Sequence, residues 1–383
     1  MCLLVIRAYT AFPLSTIRGE LHNNLRLSNG RKRFRWRGAS GRGMMNPFRL
    51  LRDRWAEMTT PLPPEHAARL ARAKLAVEGL SVGDALGQTC FQSDNYAALL
   101  DDPRTTARAP WEYTDDTEMA LGIVEVLTAH GRIDQDALAQ TFARRFELLP
   151  FRGYGGGAIR LLGAIAGGAD WRAAAESLFN GGSFGNGSAM RAAPVGAYFA
   201  DDGYERVTEE ARLASAVTHA HAEGIAGGIA AAVAAAYAWR NRDRRADDAV
   251  KRGLFDAVLA HTPAGEVRDG IERAANLRVE VPAEPDVRLL QYGAAIVPFD
   301  TSLEPVIREL GNGSRIVCQD TVPFCLWVAA RHLDDYPTAL VNTIRARGDI
   351  DTNAAIVGGI VGLAVGEVGI PQHWKADREV LKW

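Results

Sequence analysis

The stretch AEGIAGGIAAAVAAAYAW, from Ala222 to Trp239, is built mainly from Ala and Gly and carries one charge, at Glu223. It is long enough to raise the question of a membrane span, yet Ala and Gly gain little from lipid. A helix buried inside a protein accounts for it better, because small side chains let neighbouring helices come close. Such a helix needs partners, and the rest of the chain supplies them as further helices. Residues 64–82 open on Pro-Glu and place Ala68, Leu70, Ala71, Leu75, Ala76 and Leu80 on a helical stripe. Residues 116–129 place Met119, Ala120, Ile123, Val124 and Leu127 on one side. The same periodicity predicts helices at 134–148, 170–179, 204–217, 219–239, 246–261, 264–277, 317–332, 335–346 and 353–366. Alternating Val/Ile/Thr runs are almost absent, so no substantial sheet is expected, and no repeat of solenoid length recurs. Glycine-rich loops interrupt the helices at 153–157, 181–187 and 311–313. With no Pro/Ser-rich linker after residue 60, the chain reads as one all-α domain over residues 63–372, followed by a tail at 373–383.

Composition narrows the partners. The formal net charge of −2 gives no large field of one sign, so neither nucleic acid nor anionic lipid is expected as the main partner. Cys2, Cys90, Cys318 and Cys325 include no C-x-x-C pair, which leaves a disulfide framework unsupported and makes a reducing, cytoplasmic setting the expectation. Cys318 and Cys325 share a helix face and read as small buried hydrophobes rather than zinc ligands. Residues 1–62 read as a leader. Its basic run of Arg31, Lys32, Arg33, Arg35, Arg37 and Arg42 fits a disordered extension, or upstream sequence read through from an early start, better than a transit peptide. Met44, Met45 and Met58 would serve as later starts.

Chemistry concentrates at two helix entries. Thr114-Asp115-Asp116-Thr117 precedes the helix that runs on from Glu118. One Asp or Thr would cap that helix; two adjacent Asp between two Thr exceed what a cap needs and match the oxygen donors of a hard divalent cation. Asp349-Ile350-Asp351-Thr352 opens a second apolar helix, Asn353 to Val365. It begins like an EF-hand loop, but Ala354 stands where the turn glycine belongs and Ile360 where the bidentate Glu belongs. If the two helices pack together, four carboxylates converge, and two divalent ions are the natural complement to so much negative charge. A metal pair polarises substrate oxygens and lowers the pKa of bound water, which is hydrolytic chemistry.

Between these motifs lies Gly181-Gly182-Ser183-Phe184-Gly185-Asn186-Gly187-Ser188-Ala189-Met190-Arg191. Its glycines expose backbone N–H groups as an anion nest, and a helix expected to begin near Ser188 adds a positive end, so a phosphate-bearing ligand fits. Gly181 to Gly185 also matches a G-x-S-x-G elbow, but the residues before it read as helix, not strand. Gly153 to Ala158 resembles a dinucleotide fingerprint with the same missing strand. His219 and His221 are spaced i, i+2 and cannot share a helix face as a zinc pair; either could stack on a base or sugar.

Taken in order, the segments Gly83-Asp84-Ala85-Leu86-Gly87, Thr114-Asp115-Asp116-Thr117, the glycine-rich stretch ending at Arg191, Thr218-His219, Asp320-Thr321-Val322-Pro323-Phe324 and Gly348-Asp349-Ile350-Asp351-Thr352 resemble the ADP-ribosylglycohydrolase family over roughly residues 68–370. The resemblance implies a single-domain, orthogonal bundle of many helices with a metal-containing cleft. It implies two divalent cations, Mg²⁺ or Mn²⁺, held by Thr114, Asp115, Asp116, Asp349, Asp351 and Thr352, with Asp115 or Asp116 as catalytic base or acid. It further implies that Ser183, Phe184, Gly185, Asn186, Gly187 and Ser188 cradle a diphosphate and line the ligand, with His219 beside the nucleoside end. Family members often carry a Glu where this chain has Phe91; Glu112 is the residue that could compensate. Arg347 and Ile350 also depart from the pattern, and neither removes a carboxylate.

The expected function is a metal-dependent hydrolase that removes ADP-ribose from a protein side chain or a related conjugate, with a monomer favoured. A non-catalytic ADP-ribose-binding module is the alternative from a different class, and the intact carboxylate set speaks against it. A serine hydrolase using Ser183 would keep its activity in chelator and lose it in Ser183→Ala. A metal hydrolase redirected to another nucleotide or glycoside is the remaining variant.

Overall fold

Helices α1 (His66–Thr89) and α2 (Ser93–Asp101) lead into α3 (Asp115–His130), α4 (Gln135–Leu148), α5 (Gly156–Ala166) and α6 (Trp171–Ser177). After the glycine-rich segment come α7 (Ala193–Tyr198), α8 (Tyr204–Ala216), α9 (Ala222–Asn241), α10 (Asp248–His261) and α11 (Glu266–Asn276). An antiparallel hairpin of β1 (Val287–Tyr292) and β2 (Ala295–Asp300) pairs Val287 with Asp300 and Tyr292 with Ala295. The chain closes with α12 (Glu304–Leu310), α13 (Cys318–Arg331), α14 (Tyr336–Arg345), α15 (Ile350–Gly369) and α16 (Gln372–Asp377). This computed structural model describes residues 62–102, 106–292 and 295–383, and side chains in those spans outside 290–297. Pro61–Trp383 forms one unit, and the leader expected at the N-terminus lies, up to residue 61, outside the described residues.

Local sequence explains many helix ends. Asp134, Asp170, Asp247 and Asp335 each accept a backbone N–H at the start of their helices. Pro194, Pro305 and Pro337 sit in first turns, where the missing N–H costs nothing.

The Ala/Gly stretch forms α9, and its side chains from Gly224 to Ala238 are almost all buried. Gly196 of α7 lies so close to α9 that a Cβ there would meet the Ala232 carbonyl oxygen at 2.0 Å. By length and composition α9 and α15 could each cross a membrane, but 78% and 67% of their apolar windows are buried inside the protein.

The tightest pairing joins α1 to α15. Gly79, Gly83 and Gly87 fall every fourth residue and so on one face of α1. A Cβ on Gly79 would meet Gly358 O at 2.4 Å, one on Gly83 would meet Ala354 O at 2.1 Å, and one on Gly87 would meet the Asp351 Cα at 2.8 Å. The partner numbers fall as the α1 numbers rise, so the helices run antiparallel and touch backbone to backbone. The N-terminal turn of α15 therefore lies against the C-terminal half of α1.

The all-α expectation holds, and the only strands among the described residues are the two of the hairpin. Four helices, α2, α5, α12 and α16, fall outside the expected spans, and α16 occupies the start of the expected C-terminal tail. α15 starts at Ile350 rather than Asn353, which puts Asp351 and Thr352 inside its first turn. No helix begins near Ser188. Asn186–Ser188 is one 3₁₀ turn, and the next helix starts at Ala193, where Pro194 suits a first turn. Beyond α16, Glu379 accepts from the Tyr113 N–H and pairs with Arg152, so the C-terminal residues clasp the segment that leads into α3.

Candidate metal centre

The glycine contact of α1 with α15 sets Asp84 beside Asp351, and α3 completes the cluster with Asp116. Carboxylate oxygens of Asp84, Asp116 and Asp351 all lie within 4.8 Å of one another. The two distant aspartate motifs thus meet in one place, with Asp84 as a member that spacing alone did not single out.

The first motif is held from below. Thr114 caps α3 by accepting the Asp116 N–H at 3.4 Å. Asp84, fully buried, accepts from the Thr114 N–H at 3.0 Å, the Thr114 hydroxyl at 2.8 Å and the Thr117 N–H at 3.1 Å, with the Thr117 hydroxyl as a fourth donor. Asp116 is buried, and its Oδ1 has no hydrogen-bond partner. Its Oδ2 lies 2.8 Å from the Thr114 hydroxyl. One hydroxyl proton cannot serve both Asp84 and Asp116, so this short contact calls for a proton or a cation at Asp116. Asp115 is more open; its N–H donates to the Arg152 carbonyl at 2.6 Å, and Gly153 passes beside its carboxylate.

The second motif is held from the side. Asp349 occupies the N-cap position of α15 but makes no side-chain capping bond. Its Oδ2 accepts from the Asn186 amide at 2.7 Å, and its N–H donates to the Asn312 carbonyl at 3.3 Å. Asn353 also donates to Asn312 O, at 2.7 Å. Asp351 accepts the Thr352 N–H at 2.9 Å, and Thr352 itself is buried.

Burial raises every carboxylate in this group, and repulsion from the neighbouring carboxylates adds to it at Asp115, Asp116 and Asp351. Asp84 is pushed up to about 6 and Asp115 up to about 7. Asp116 and Asp351 stand well above the usual carboxylate range, and Asp349 is raised as well, all chiefly by burial. An orphaned carboxylate oxygen inside a set of acidic and hydroxyl oxygens fits a hard divalent cation.

The glycine-rich segment borders this cluster. Ser183 Oγ accepts the Gly185 N–H at 3.1 Å, and the Phe184 carbonyl accepts from Cys318 at 3.0 Å. Asn186 bridges to the Thr321 hydroxyl at 3.0 Å and to Asp349, so it joins loop and second motif directly. Arg191 is buried under the loop and donates to Gly187 O and the Thr218 hydroxyl, both at 2.7 Å. Burial lowers its guanidinium to about 9.

Two of the groups expected to line the ligand have partners within the protein. The Ser188 hydroxyl is buried and donates to the Gly224 carbonyl. His219 is buried beneath Gly185 and Gly187 with Nδ1 2.7 Å from the Thr218 hydroxyl, and burial lowers it to about 3. It is His221 whose ring meets the exposed Phe184, edge-on at 5.2 Å. Phe91 is exposed just past α1, and Glu112 is exposed before α3. Asp320, which carried no separate role on sequence grounds, accepts from the Arg315 N–H at 2.8 Å and so braces the loop beside Asp349. Cys318 and Cys325 are buried on α13 as expected.

A model of the ADP-ribosylglycohydrolase family matches residues 65–382. The chain is 29% identical to ADP-ribosylhydrolase ARH3 of Homo sapiens, over 82% of this chain and 90% of that protein. It is 28% identical to the ARH3 of Mus musculus, over 82% and 89%. To the ADP-ribosylarginine hydrolase Tri1 of Pseudomonas putida it is 25% identical, over 84% and 78%. A solved structure described as an ADP-ribosylglycohydrolase-related protein complex shares the fold, with a TM-score of 0.52 at 22% identity, covering 81% of this chain and 93% of that one. With a family match across nearly the whole described unit, this chain belongs to the ADP-ribosylglycohydrolase family.

Proposed function

We propose that this protein is a divalent-metal-dependent hydrolase that cleaves the glycosidic bond between ADP-ribose and a protein side chain or related conjugate. The observation that carries the reading is the convergence of both aspartate motifs on one buried cluster whose Asp116 Oδ1 has no partner. The hydrolase relatives support the reaction class, and the acidic cluster supports the metal.

Thr114, Asp115, Asp116, Asp349, Asp351 and Thr352 would hold two cations, Mg²⁺ or Mn²⁺. When bound, these supply Lewis-acid polarisation of substrate oxygens and a lowered pKa for water. Asp115 is the more open of the adjacent pair, and in this reading it would take a proton from the attacking water. In the overall reaction the bond from the anomeric carbon to the acceptor breaks, water supplies the hydroxyl at that carbon, and a proton leaves with the acceptor. Backbone N–H groups of the Ser183–Gly187 loop would orient the diphosphate, and Arg191 behind them adds positive charge at no entropic cost on binding. Phe184, with His221 against it, would offer a flat apolar surface at the rim.

The test is release of ADP-ribose from ADP-ribosylated arginine and serine peptides in Mg²⁺, Mn²⁺ and EDTA. Release that needs metal is expected for at least one linkage. Metal-independent release abolished by Ser183→Ala would replace this mechanism with a serine hydrolase.

A further inference from the structure

Asp84 lies within reach of Asp116 and Asp351, and on distance alone it would count as a further carboxylate ligand. Its hydrogen bonds say otherwise. Oδ1 faces the Thr114 N–H and hydroxyl, and Oδ2 faces the Thr114 N–H, the Thr117 N–H and the Thr117 hydroxyl. Two backbone and two side-chain donors therefore take up its lone pairs, in a position with no exposure. A carboxylate so occupied can bind a cation only by giving up charge-assisted bonds in a buried site.

We infer that Asp84 is a positioning residue, not a ligand: it holds the first turn of α3 and accepts the Thr114 hydroxyl hydrogen bond, leaving the Thr114 lone pair that the Asp116 N–H does not use free to face the cation side. This rests on the metal reading above. The geometry is specific. The Thr114 oxygen lies 2.8 Å from Asp84 and 2.8 Å from Asp116, so whichever carboxylate takes the proton decides whether Thr114 meets Asp116 as donor or as fellow ligand. With Asp84 ionised and accepting that hydrogen bond, Thr114 and Asp116 each keep a lone pair for a cation. The Gly83 contact with α15 fixes the height of this anchor relative to Asp351. One residue of α1 thereby sets the spacing between the two motifs.

The experiment is Mn²⁺ binding to the full chain, read by electron paramagnetic resonance of free Mn²⁺ and by calorimetry below the melting point. It compares wild type, Asp84→Asn and Thr117→Val, with melting in EDTA recorded for each. The expected result for Asp84→Asn is the wild-type number of bound ions at an affinity about 10–100-fold weaker, the usual effect of losing a group that orients a ligand. Thr117→Val, which removes one donor to Asp84 and no charge, keeps the stoichiometry with a smaller loss. A stoichiometry reduced by one in Asp84→Asn overturns the inference by making Asp84 a ligand; unchanged affinity overturns it by making Asp84 only a structural cap. If Asp84→Asn does not fold, wild-type affinity in Thr117→Val overturns it instead. A wild-type protein that binds no Mn²⁺ overturns the metal reading itself and this inference with it, an outcome distinct from the others.

Discussion

The two aspartate motifs look alike in sequence and are built differently. Thr114 to Thr117 is anchored by the scaffold: Thr114 caps α3, and Asp84 of α1 grips both threonines from beneath. Asp349 to Thr352 is anchored by loops: Asp349 leaves its helix uncapped and instead accepts from Asn186 of the glycine-rich segment, while Asn312 holds its backbone. The first motif is set once the helices pack. The second is tied to the loop that would carry the ligand, so whatever orders that loop also orders Asp349. Ligand and metal binding should be more strongly coupled through the second motif than through the first.

The largest effect expected is from Asp116→Asn, which removes the carboxylate with the unpartnered oxygen. It should lower kcat for ADP-ribosyl peptide hydrolysis by about 10³-fold or more, since metal assistance is worth several kcal/mol. Turnover near the wild-type rate would break the account of the first motif.

Asn186→Ala sharpens the contrast. It should weaken both Mn²⁺ and ADP-ribose binding by about 10–100-fold, as for a second layer of contacts. Because binding couplings are reciprocal, it should also shrink the factor by which each ligand improves the other. Equal weakening without loss of that coupling would mean the loop and the second motif act separately.

The pH dependence follows from the raised carboxylates. A folded pKa above the unfolded value of about 3.9 stabilises the fold only while the group is protonated, so the contribution is present below that value and is lost as pH rises through the folded value. For Asp84 and Asp115 those folded values are about 6 and about 7. The metal-free protein should lose stability across this window, while cations take the place of the protons in the loaded one. The melting-temperature gap between Mn²⁺ and EDTA should therefore widen from about pH 5 to about pH 8; a constant gap would contradict the cluster's assignment.

Ser188→Ala should have the smallest effect. Loss of its buried bond to Gly224 should cost about 1 kcal/mol of stability in denaturant titration. ADP-ribose affinity should change less than in Ser183→Ala.

The pairing of the motifs was legible because each carries more carboxylates at a helix start than a cap can use. The buried character of α9 was legible from its Ala/Gly composition. The contact that brings the motifs together was not. Gly79, Gly83 and Gly87 weaken a helix by propensity, and only the facing backbone of α15 shows that they permit close approach. Asp84 sits within the same helix, where its partners, thirty residues and more away along the chain, leave no local signal. His219 and His221 are two residues apart, and spacing could not tell which one the loop would cover. The helix expected near Ser188 starts instead at Ala193, and the Ser188 hydroxyl is committed to α9, a tertiary contact that sequence period does not encode.

The central claim is that the two motifs form one metal-dependent site for ADP-ribose. The most direct measurement is calorimetric titration of ADP-ribose into the full chain in Mn²⁺ and then in EDTA, with Asp349→Ala alongside. The account predicts binding in Mn²⁺ that is lost in chelator and in the variant. Binding that persists unchanged in EDTA would contradict it.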